Sequence, residues 1–260
     1  MARVLVINEC DSIAEAMARR LSESLGVEWS WRAPQREDGF GGELSNGYES
    51  LLAEQAVDTV VYAPPLIAGG NLTPDLSDAE TVFRQCARSG VGRVILLSSA
   101  AVYGSSPHNT GLMAESRAPL RNGQNPIGGQ WAELEALAVI YLGEETGTRL
   151  TILRCAPAPA RDGVDYFSRL FGSGVAVALP GHDPSLQLLS GDDLARAVVC
   201  AVERSEGGIY NVAPDGVVPL RAALRLARAR RLPIPRTLQR MARAGLSGLG
   251  LARPIEQLGQ

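Results

Sequence analysis

The chain has 260 residues, 45% of them apolar, which is enough to bury the core of one domain of ordinary size. All 25 basic residues are arginine, against 28 acidic residues, so the formal net charge is −3 and the chain contains no lysine. The missing lysine excludes a Schiff base, a lysine general base and a lysine-assisted tyrosine. The cysteines have no C-x-x-C or Cys/His ligand spacing, so we predict neither a disulfide framework nor a metal site.

The charge is distributed unevenly along the chain. Residues 1–215 carry 16 arginines and 27 acidic residues, whereas residues 216–260 carry nine arginines and only Glu256. A basic C-terminal segment of this kind indicates an anion site, an interaction face or a solvated helix surface. It lacks the interleaved aromatic residues that stack on bases, so nucleic-acid binding is not favoured.

The N-terminus and the hydropathy pattern indicate a cytoplasmic protein. Met1-Ala2-Arg3 runs directly into the apolar residues Val4-Leu5-Val6, which leaves no room for a signal peptide. No apolar run approaches the ~20 residues that a membrane-spanning helix needs. We therefore expect no transmembrane segment.

Short apolar runs alternate with helical patterns along the chain. This alternation predicts a doubly wound α/β fold, a parallel sheet with helices on both faces, in which fully apolar strands are buried on both sides. The predicted strands are Val4–Ile7, Glu28–Arg32, Thr59–Ala63, Arg93–Leu97 and Leu150–Leu153, and the predicted helices are Glu15–Leu25, Ala79–Arg88, Ala132–Leu142, Asp192–Glu203, one from Leu220 that ends before Pro233, and one around Thr237–Ala244.

Several motifs occur in a recognisable order. The most distinctive is the segment from Gly90 to Gly104, GVGRVILLSSAAVYG; the others are DTVVYA at 58–63, NPIG at 125–128 with Glu135, TILR at 151–154, DDLARA at 192–197 and GIYNV at 208–212. In order and spacing they resemble the extended short-chain dehydrogenases/reductases of the NAD-dependent epimerase/dehydratase family. The resemblance implies one Rossmann-like domain over 1–260, with a core at about 1–155 plus 185–215. A small, partly truncated C-terminal lobe would take about 156–184 and 216–260.

The family's chemistry depends on a nicotinamide cofactor and on a serine or threonine, a tyrosine and a lysine. The resemblance places Ser99 at the serine position, where the family's hydroxyl polarises the substrate carbonyl. Ile127 stands at the tyrosine position and Trp131 at the lysine position, and neither side chain can take up or release a proton. Positioned acid–base catalysis typically contributes ~10²–10⁴-fold in rate. We therefore expect classical hydride transfer to be absent.

The phosphate-binding loop is also altered. The three glycines that the family carries after its first strand fall on Asn8, Asp11 and Ala14. Glycine allows the tight turn and the close approach of the backbone to the pyrophosphate. Glu9, Asp11 and Glu15 add negative charge, and one carboxylate about 4 Å from a phosphate charge costs roughly 4 kcal/mol at an effective dielectric near 20. We therefore expect no cofactor at this loop. If a cofactor does bind, we expect it to be NAD or NADP.

The start of this first helix fits a capping box. In Ser12-Ile13-Ala14-Glu15, the Ser12 hydroxyl would accept from the Glu15 amide, and the Glu15 carboxylate would accept from the Ser12 amide. The helix would then satisfy the amides that otherwise bind phosphate. The alternative is that the loop binds phosphate in an unfamiliar geometry.

Three other residues are candidate ligand or catalytic groups: Arg32, His108 and His182. Arg32, at the end of the second strand, is a weak candidate for an NADP 2′-phosphate, and a surface arginine is the preferred interpretation. His108 and His182 lie in Ser/Pro-rich or Gly/Pro-rich loops, and nothing in the sequence pairs either with Ser99. We interpret both as loop histidines rather than catalytic bases.

The sequence thus favours a pseudoenzyme, a ligand-binding or interaction scaffold whose partner is a small anionic ligand or a protein. One alternative is an NAD(P)-dependent oxidoreductase, an epimerase/dehydratase or reductase with non-classical cofactor binding. A second alternative is an accessory subunit of a complex.

Overall fold

The computed structural model describes most of the chain. The described residues are 3–7, 11–25, 28–32, 52, 56–64, 66–67, 73–104, 113–120, 128–143, 146–160, 166–178, 183–204 and 206–233. At 11, 12, 14, 24, 25, 28–32, 66, 67, 177, 178 and 231–233 the description covers the backbone alone.

A six-stranded parallel sheet forms the centre of the molecule. Its strands are β1 (Arg3–Ile7), β2 (Glu28–Arg32), β3 (Thr59–Tyr62), β4 (Arg93–Ser99), β5 (Arg149–Cys155) and β6 (Gly208–Val212). They lie in the spatial order β6-β5-β4-β3-β1-β2, and every neighbouring pair is parallel. This arrangement confirms the predicted doubly wound α/β fold.

Six α-helices are seen in the described part of the chain. They are α1 (Asp11–Leu25), α2 (Leu76–Arg88), α3 (Gly128–Leu142), α4 (Tyr166–Gly172), α5 (Gly191–Glu203) and α6 (Leu220–Leu226). Helices α1 and α5 pack against each other, as do α2 and α3. A short 3₁₀-helix, Ala100–Tyr103, follows β4 directly and ends at Gly104, whose φ of 72° favours glycine.

The two faces of the sheet bury two separate cores because side chains alternate along each strand. Leu5 and Ile7 of β1 face the core that α2 and α3 cover, whereas Val4 and Val6 face the core that α1 and α5 cover. The strands are thus buried on both sides, as their uninterrupted apolar sequences predict.

Side-chain caps fix the first residues of α2 and α5. The Asp75 carboxylate accepts from the amides of Ser77 and Asp78, which starts α2 at Leu76, three residues before the predicted Ala79. The Ser190 hydroxyl accepts from the Asp193 amide at 3.0 Å and starts α5 at Gly191. Helix α5 therefore begins one residue before the predicted Asp192.

A smaller group of elements packs beside the sheet. Strand Val175–Ala178 pairs in parallel with strand Arg230–Pro233, and Ser185–Leu186 pairs antiparallel with Val218–Pro219. Its core is formed by buried Ala176, Leu220 and Leu224, against which Leu170, Phe171, Leu186 and Ala229 pack. Leu220 and Leu224 share the buried face of α6, which ends at Leu226, and the helix predicted around 237–244 lies outside the described residues.

Candidate functional site

The strand order creates a crevice at the carboxyl edge of the sheet. The chain runs from β1 outward to β2 on one side, and β3 to β6 lie on the other. Ligands of open α/β sheets bind where the strand order reverses in this way, outside the carboxyl ends of the strands. Here the reversal lies between β1 and β3, where the Ala63 amide donates to the Ile7 carbonyl at 2.9 Å.

The phosphate loop is described only from Asp11 onward. Asn8 lies outside the described residues, as do the side chains of Asp11 and Ala14. Helix α1 begins at Asp11, so Ser12 is the second helical residue rather than the residue before the helix. The capping box predicted at Ser12 is therefore wrong in register, because an N-cap residue has non-helical dihedrals. Glu15 is exposed on this helix.

Ser99 ends β4 at this edge of the sheet. Its side-chain oxygen accepts a hydrogen bond from the Ala101 amide at 3.1 Å and so caps the short helix that follows. In register it lies beside Cys155 on β5. Burial raises the pKa of the Cys155 thiol to about 12, so this neighbour stays protonated and supplies neither a nucleophile nor a base.

Trp131 lies near the start of α3. Its indole is partly buried and packs against the core between the sheet and α2 and α3. The position that the resemblance assigns to a lysine therefore holds an apolar packing group. Ile127, assigned to the tyrosine position, lies just outside the described residues.

Behind Ser99 a carboxylate and a guanidinium form a buried ion pair. Glu135 of α3 is 5% exposed and Arg154 of β5 is 2% exposed. The Arg154 Nη2 lies 2.8 Å from Glu135 Oε2, and its Nε lies 3.1 Å from Oε1. The Ser98 hydroxyl donates to the same Oε1 at 2.7 Å. Burial opposes ionisation of Arg154, but its hydrogen bonds to Glu135 and Tyr103 outweigh that cost and raise its pKa.

The same guanidinium anchors residues 113–120 to the sheet. Arg154 Nη1 donates to Tyr103 Oη at 3.0 Å, and to the carbonyls of Glu115 and Arg117 at 3.2 and 3.3 Å. Tyr103 Oη donates in turn to Asn211 Oδ1 at 2.6 Å, and Asn211 Nδ2 donates to the Met113 carbonyl at 2.6 Å. Residues from β4, β5, β6 and α3 thus hold one rim of the carboxyl edge.

A backbone hydrogen bond completes this rim. The Asn211 amide donates to Glu115 Oε1 at 3.1 Å, which is the main cause that lowers the pKa of Glu115. The ring of Tyr103 is buried, and its hydroxyl links Arg154 to Asn211. The network itself was not foreseen. Its one sequence signal was a lone arginine at the end of an apolar strand, because arginine is almost never fully buried unless it is paired.

The structure does not describe the side chains of the other three candidate residues, Arg32, His108 and His182. Arg32 is the last residue of β2, and its side chain is not described. His108 and His182 lie outside the described residues. In the described part of the chain no three His, Cys, Asp or Glu side chains come together as metal ligands. Nor does any helix found there have the length and apolar character to cross a bilayer.

Comparison with known proteins gives the same picture of the fold. A family model, NAD dependent epimerase/dehydratase family, matches residues 75–213, more than half of the chain. An uncharacterized protein of Mycobacterium tuberculosis is 31% identical over 189 residues, which cover 69% of this chain and 49% of that protein. The chain thus spans about half the length of the curated relatives it matches.

Solved structures of the same fold are more distant in sequence. MoeE5, in complex with UDP-glucuronic acid and NAD, has a TM-score of 0.71 at 18% identity over 90% of this chain and 85% of that chain. UDP-glucose 4-epimerase of Thermus thermophilus, in complex with NAD, has a TM-score of 0.68 at 19% identity over 90% and 86%. These matches establish the fold, and the match to residues 75–213 establishes the family: the chain belongs to the NAD-dependent epimerase/dehydratase family.

Proposed function

We propose that this chain is a non-catalytic member of its family, a scaffold that binds a small anionic ligand at the carboxyl edge of the sheet without transferring hydride. The observation that carries the proposal is the packing of Trp131 in the core, at the position of the family's lysine, in a chain that contains no lysine. In the family that lysine lowers the tyrosine pKa and holds the nicotinamide ribose, and the indole that stands at its position can do neither.

The surroundings of Ser99 support the same conclusion. A serine becomes a nucleophile or a proton relay when a general base lies within hydrogen-bond reach. The Ser99 side-chain oxygen accepts from the Ala101 amide, which occupies one of its lone pairs. The carboxylate of Glu135 is engaged by Arg154 and by the hydroxyl of Ser98, the residue before Ser99. Among the described residues, a hydroxyl in this setting has no activated proton acceptor, although it can orient a bound ligand.

The ligand class follows from the fold relatives. MoeE5 was solved with UDP-glucuronic acid, and two other structures of this fold are UDP-N-acetylglucosamine 4-epimerases, one of them in complex with UDP-N-acetylmuramic acid. We therefore propose a nucleotide-linked sugar, or a related phosphorylated compound, as the ligand. The rim at 113–120, held by Arg154 and Asn211, would form one side of its site.

Two measurements on the full chain test this proposal. Melting curves are recorded with UDP-sugars, NAD and NADP, and turnover is followed with each sugar and cofactor pair. A ligand at a hundred times its Kd raises the free energy of unfolding by about 2.7 kcal/mol. We expect a melting shift with a nucleotide-linked sugar and no turnover. Measurable epimerisation, dehydration or reduction would refute the proposal, and a stoichiometric protein that co-purifies would favour an accessory subunit instead.

The main alternative is an NAD(P)-dependent enzyme with non-classical cofactor binding. It is supported by the relatives of this fold that were solved in complex with NAD. A triple variant, Asn8→Gly, Asp11→Gly and Ala14→Gly, distinguishes the two functions. If the native loop excludes the cofactor, NAD binding appears only in this variant. The pair Ser22→Gly and Glu23→Gly, at exposed positions of the same helix, controls for weakening of α1. NAD binding by the unmodified chain would favour the enzyme.

A further inference from the structure

The tip of the smaller group of elements carries exposed arginines together with exposed aliphatic side chains. Leu226, the last residue of α6, is 81% exposed, and Val175, at the start of its strand, is 45% exposed. Arg225, Arg228 and Arg230 are also exposed. We call these five residues the arginine–leucine face.

Backbone hydrogen bonds make this face one continuous surface. The Arg228 amide donates to the Arg225 carbonyl at 3.0 Å, which turns the chain at the end of α6. The Arg230 amide donates to the Gly174 carbonyl at 2.8 Å, and Arg230 lies opposite Val175 in the strand register. The helix end, the turn and the strand edge therefore lie next to one another along the backbone.

Within the described residues, no carboxylate neutralises the charge of this face. Several arginines on other surfaces of the described structure are paired: Arg19 and Arg196 both contact Asp192, and Arg221 contacts Asp183. In that same part of the chain Arg225, Arg228 and Arg230 have no salt bridge. The sequence explains the difference, because residues 166–178 and 216–233 contain no acidic residue at all.

Arg228 adds a further indication. It adopts a φ of 57°, the left-handed conformation that the position after a helix end normally assigns to glycine. The chain keeps a cationic side chain there at a conformational cost. A side chain retained in a disfavoured conformation is an indication of function when its chemistry matches that of its neighbours.

We propose that the arginine–leucine face docks on the surface of a bilayer that contains anionic phospholipids. Arginines attract the headgroups, and exposed Leu226 and Val175 enter the boundary between headgroups and acyl chains. Residues 1–215, which contribute only Val175 to this face, have an excess of 11 negative charges, so an anionic bilayer repels the remainder of the chain. Nucleic acid is less well matched, since no aromatic side chain accompanies these arginines and phosphates offer no contact to the two aliphatic residues.

Residues 234–260, which follow the described part of the chain, are also rich in positive charge. They carry four further arginines, Arg236, Arg240, Arg243 and Arg253, against the single carboxylate of Glu256. Each arginine near an anionic bilayer strengthens binding by about fivefold at low ionic strength. This attraction falls off within a Debye length, roughly 8 Å at physiological salt.

Vesicle flotation with the full chain tests the proposal. Vesicles of phosphatidylcholine alone are compared with vesicles that contain about 30 mol% phosphatidylglycerol, an anionic content high enough to give a strongly negative surface potential. We expect binding to the anionic vesicles, little binding to the neutral ones, and a decrease as salt is raised. The variant Arg225→Gln, Arg228→Gln, Arg230→Gln should bind on the order of a hundredfold more weakly. Leu226→Ser should weaken binding chiefly at high salt, where the apolar contact makes the larger contribution.

The matched control removes three exposed arginines from other surfaces: Arg88→Gln, Arg149→Gln and Arg204→Gln. Both triple variants change the net charge equally, and melting curves verify that both fold. The proposal predicts that the control binds like the unmodified chain. Equal weakening in both variants would reduce the effect to net charge and overturn it. Binding to duplex DNA that exceeds binding to anionic vesicles and is lost in the first variant would reassign the face and overturn it as well.

Discussion

The Glu135 carboxylate on α3 and the Arg154 guanidinium on β5 form a two-point ion pair inside the protein, with nitrogen–oxygen distances of 2.8 and 3.1 Å. It joins α3 to the central sheet and contacts Ser98, the residue before Ser99. Burying two charges is costly, so the pair is weak evidence for net stability; once formed, it is expensive to break, because either partner alone would be an uncompensated buried charge.

Removal of the Glu135 charge should therefore destabilise the protein strongly. We expect Glu135→Gln to lower the free energy of unfolding by about 3–5 kcal/mol, because Arg154 then stays buried without a counter-charge. Urea unfolding followed by circular dichroism measures this loss. The double change Glu135→Leu, Arg154→Met should cost clearly less than the two single changes added together. Strict additivity would show that the two charges do not depend on each other.

Ser99 has a structural task that can be measured apart from any catalysis. Ser99→Ala removes the acceptor for the Ala101 amide and should cost about 1 kcal/mol, as is typical for loss of a helix N-cap. Ser99→Thr, which keeps a hydroxyl, should restore most of that stability. Thermal unfolding of the three proteins compares them. If Ser99→Ala is as stable as the unmodified chain, the cap contributes nothing.

The left-handed conformation of Arg228 makes a stabilising substitution available. Glycine adopts this conformation without the steric cost that a side chain pays there, so Arg228→Gly should raise the free energy of unfolding by roughly 0.5–1 kcal/mol. Arg225→Gly is the matched control, because it removes the same charge from a helical position, and it should destabilise by about 1 kcal/mol. Changes of the same sign at both sites would contradict the conformational explanation.

Asp192 links α5 to α1 through its ion pair with Arg20, where Nη2 and Oδ2 lie 2.5 Å apart. The Arg20 hydrogen bond is the main cause that lowers the pKa of Asp192 in the folded protein. Since the folded pKa lies below the unfolded one, the stabilisation is complete above the unfolded value, about 3.9, and is lost as the pH falls through the folded value.

The matching variant is Asp192→Asn. It should be less stable than the unmodified chain from about pH 5 to 7, and the gap between their denaturation midpoints should close below roughly pH 4. Since the side chains are partly exposed, high salt should also narrow the gap. A gap that persists unchanged into strongly acidic solution would mean that the charge of Asp192 is not what matters.

The fold was predictable because the hydropathy pattern of short individual segments indicates it. Runs such as Val4–Ile7 and Arg93–Leu97 are apolar on both faces of a strand, and only a covered parallel sheet uses them. Helix starts were less predictable, since α2 begins where Asp75 caps it, and the cap is outside the apolar repeat. The register error at Ser12 has the same origin: the S-x-x-E pattern recurs by chance inside helices, and only backbone dihedrals separate the cases.

The site was predictable only in part. The resemblance placed Ser99 and Trp131, but the partners of Arg154 come from separate segments of the chain, and no local pattern specifies which polar groups meet across the sheet. Asn211 shows this best. Asn211 belongs to the GIYNV motif in β6, yet its side chain connects Tyr103 with Met113. Met113 lies 98 residues before Asn211 in the chain.

The anchoring of residues 113–120 has a consequence for molecular recognition. The guanidinium of Arg154 already donates to protein acceptors, so it is not available to bind a ligand. The rim at 113–120 is therefore preformed. Ligands would then be selected by shape complementarity to a preformed rim. Binding would not carry the conformational entropy cost of ordering a loop. Compounds that bind only if residues 113–120 move would be excluded, because Arg154 holds these residues in place.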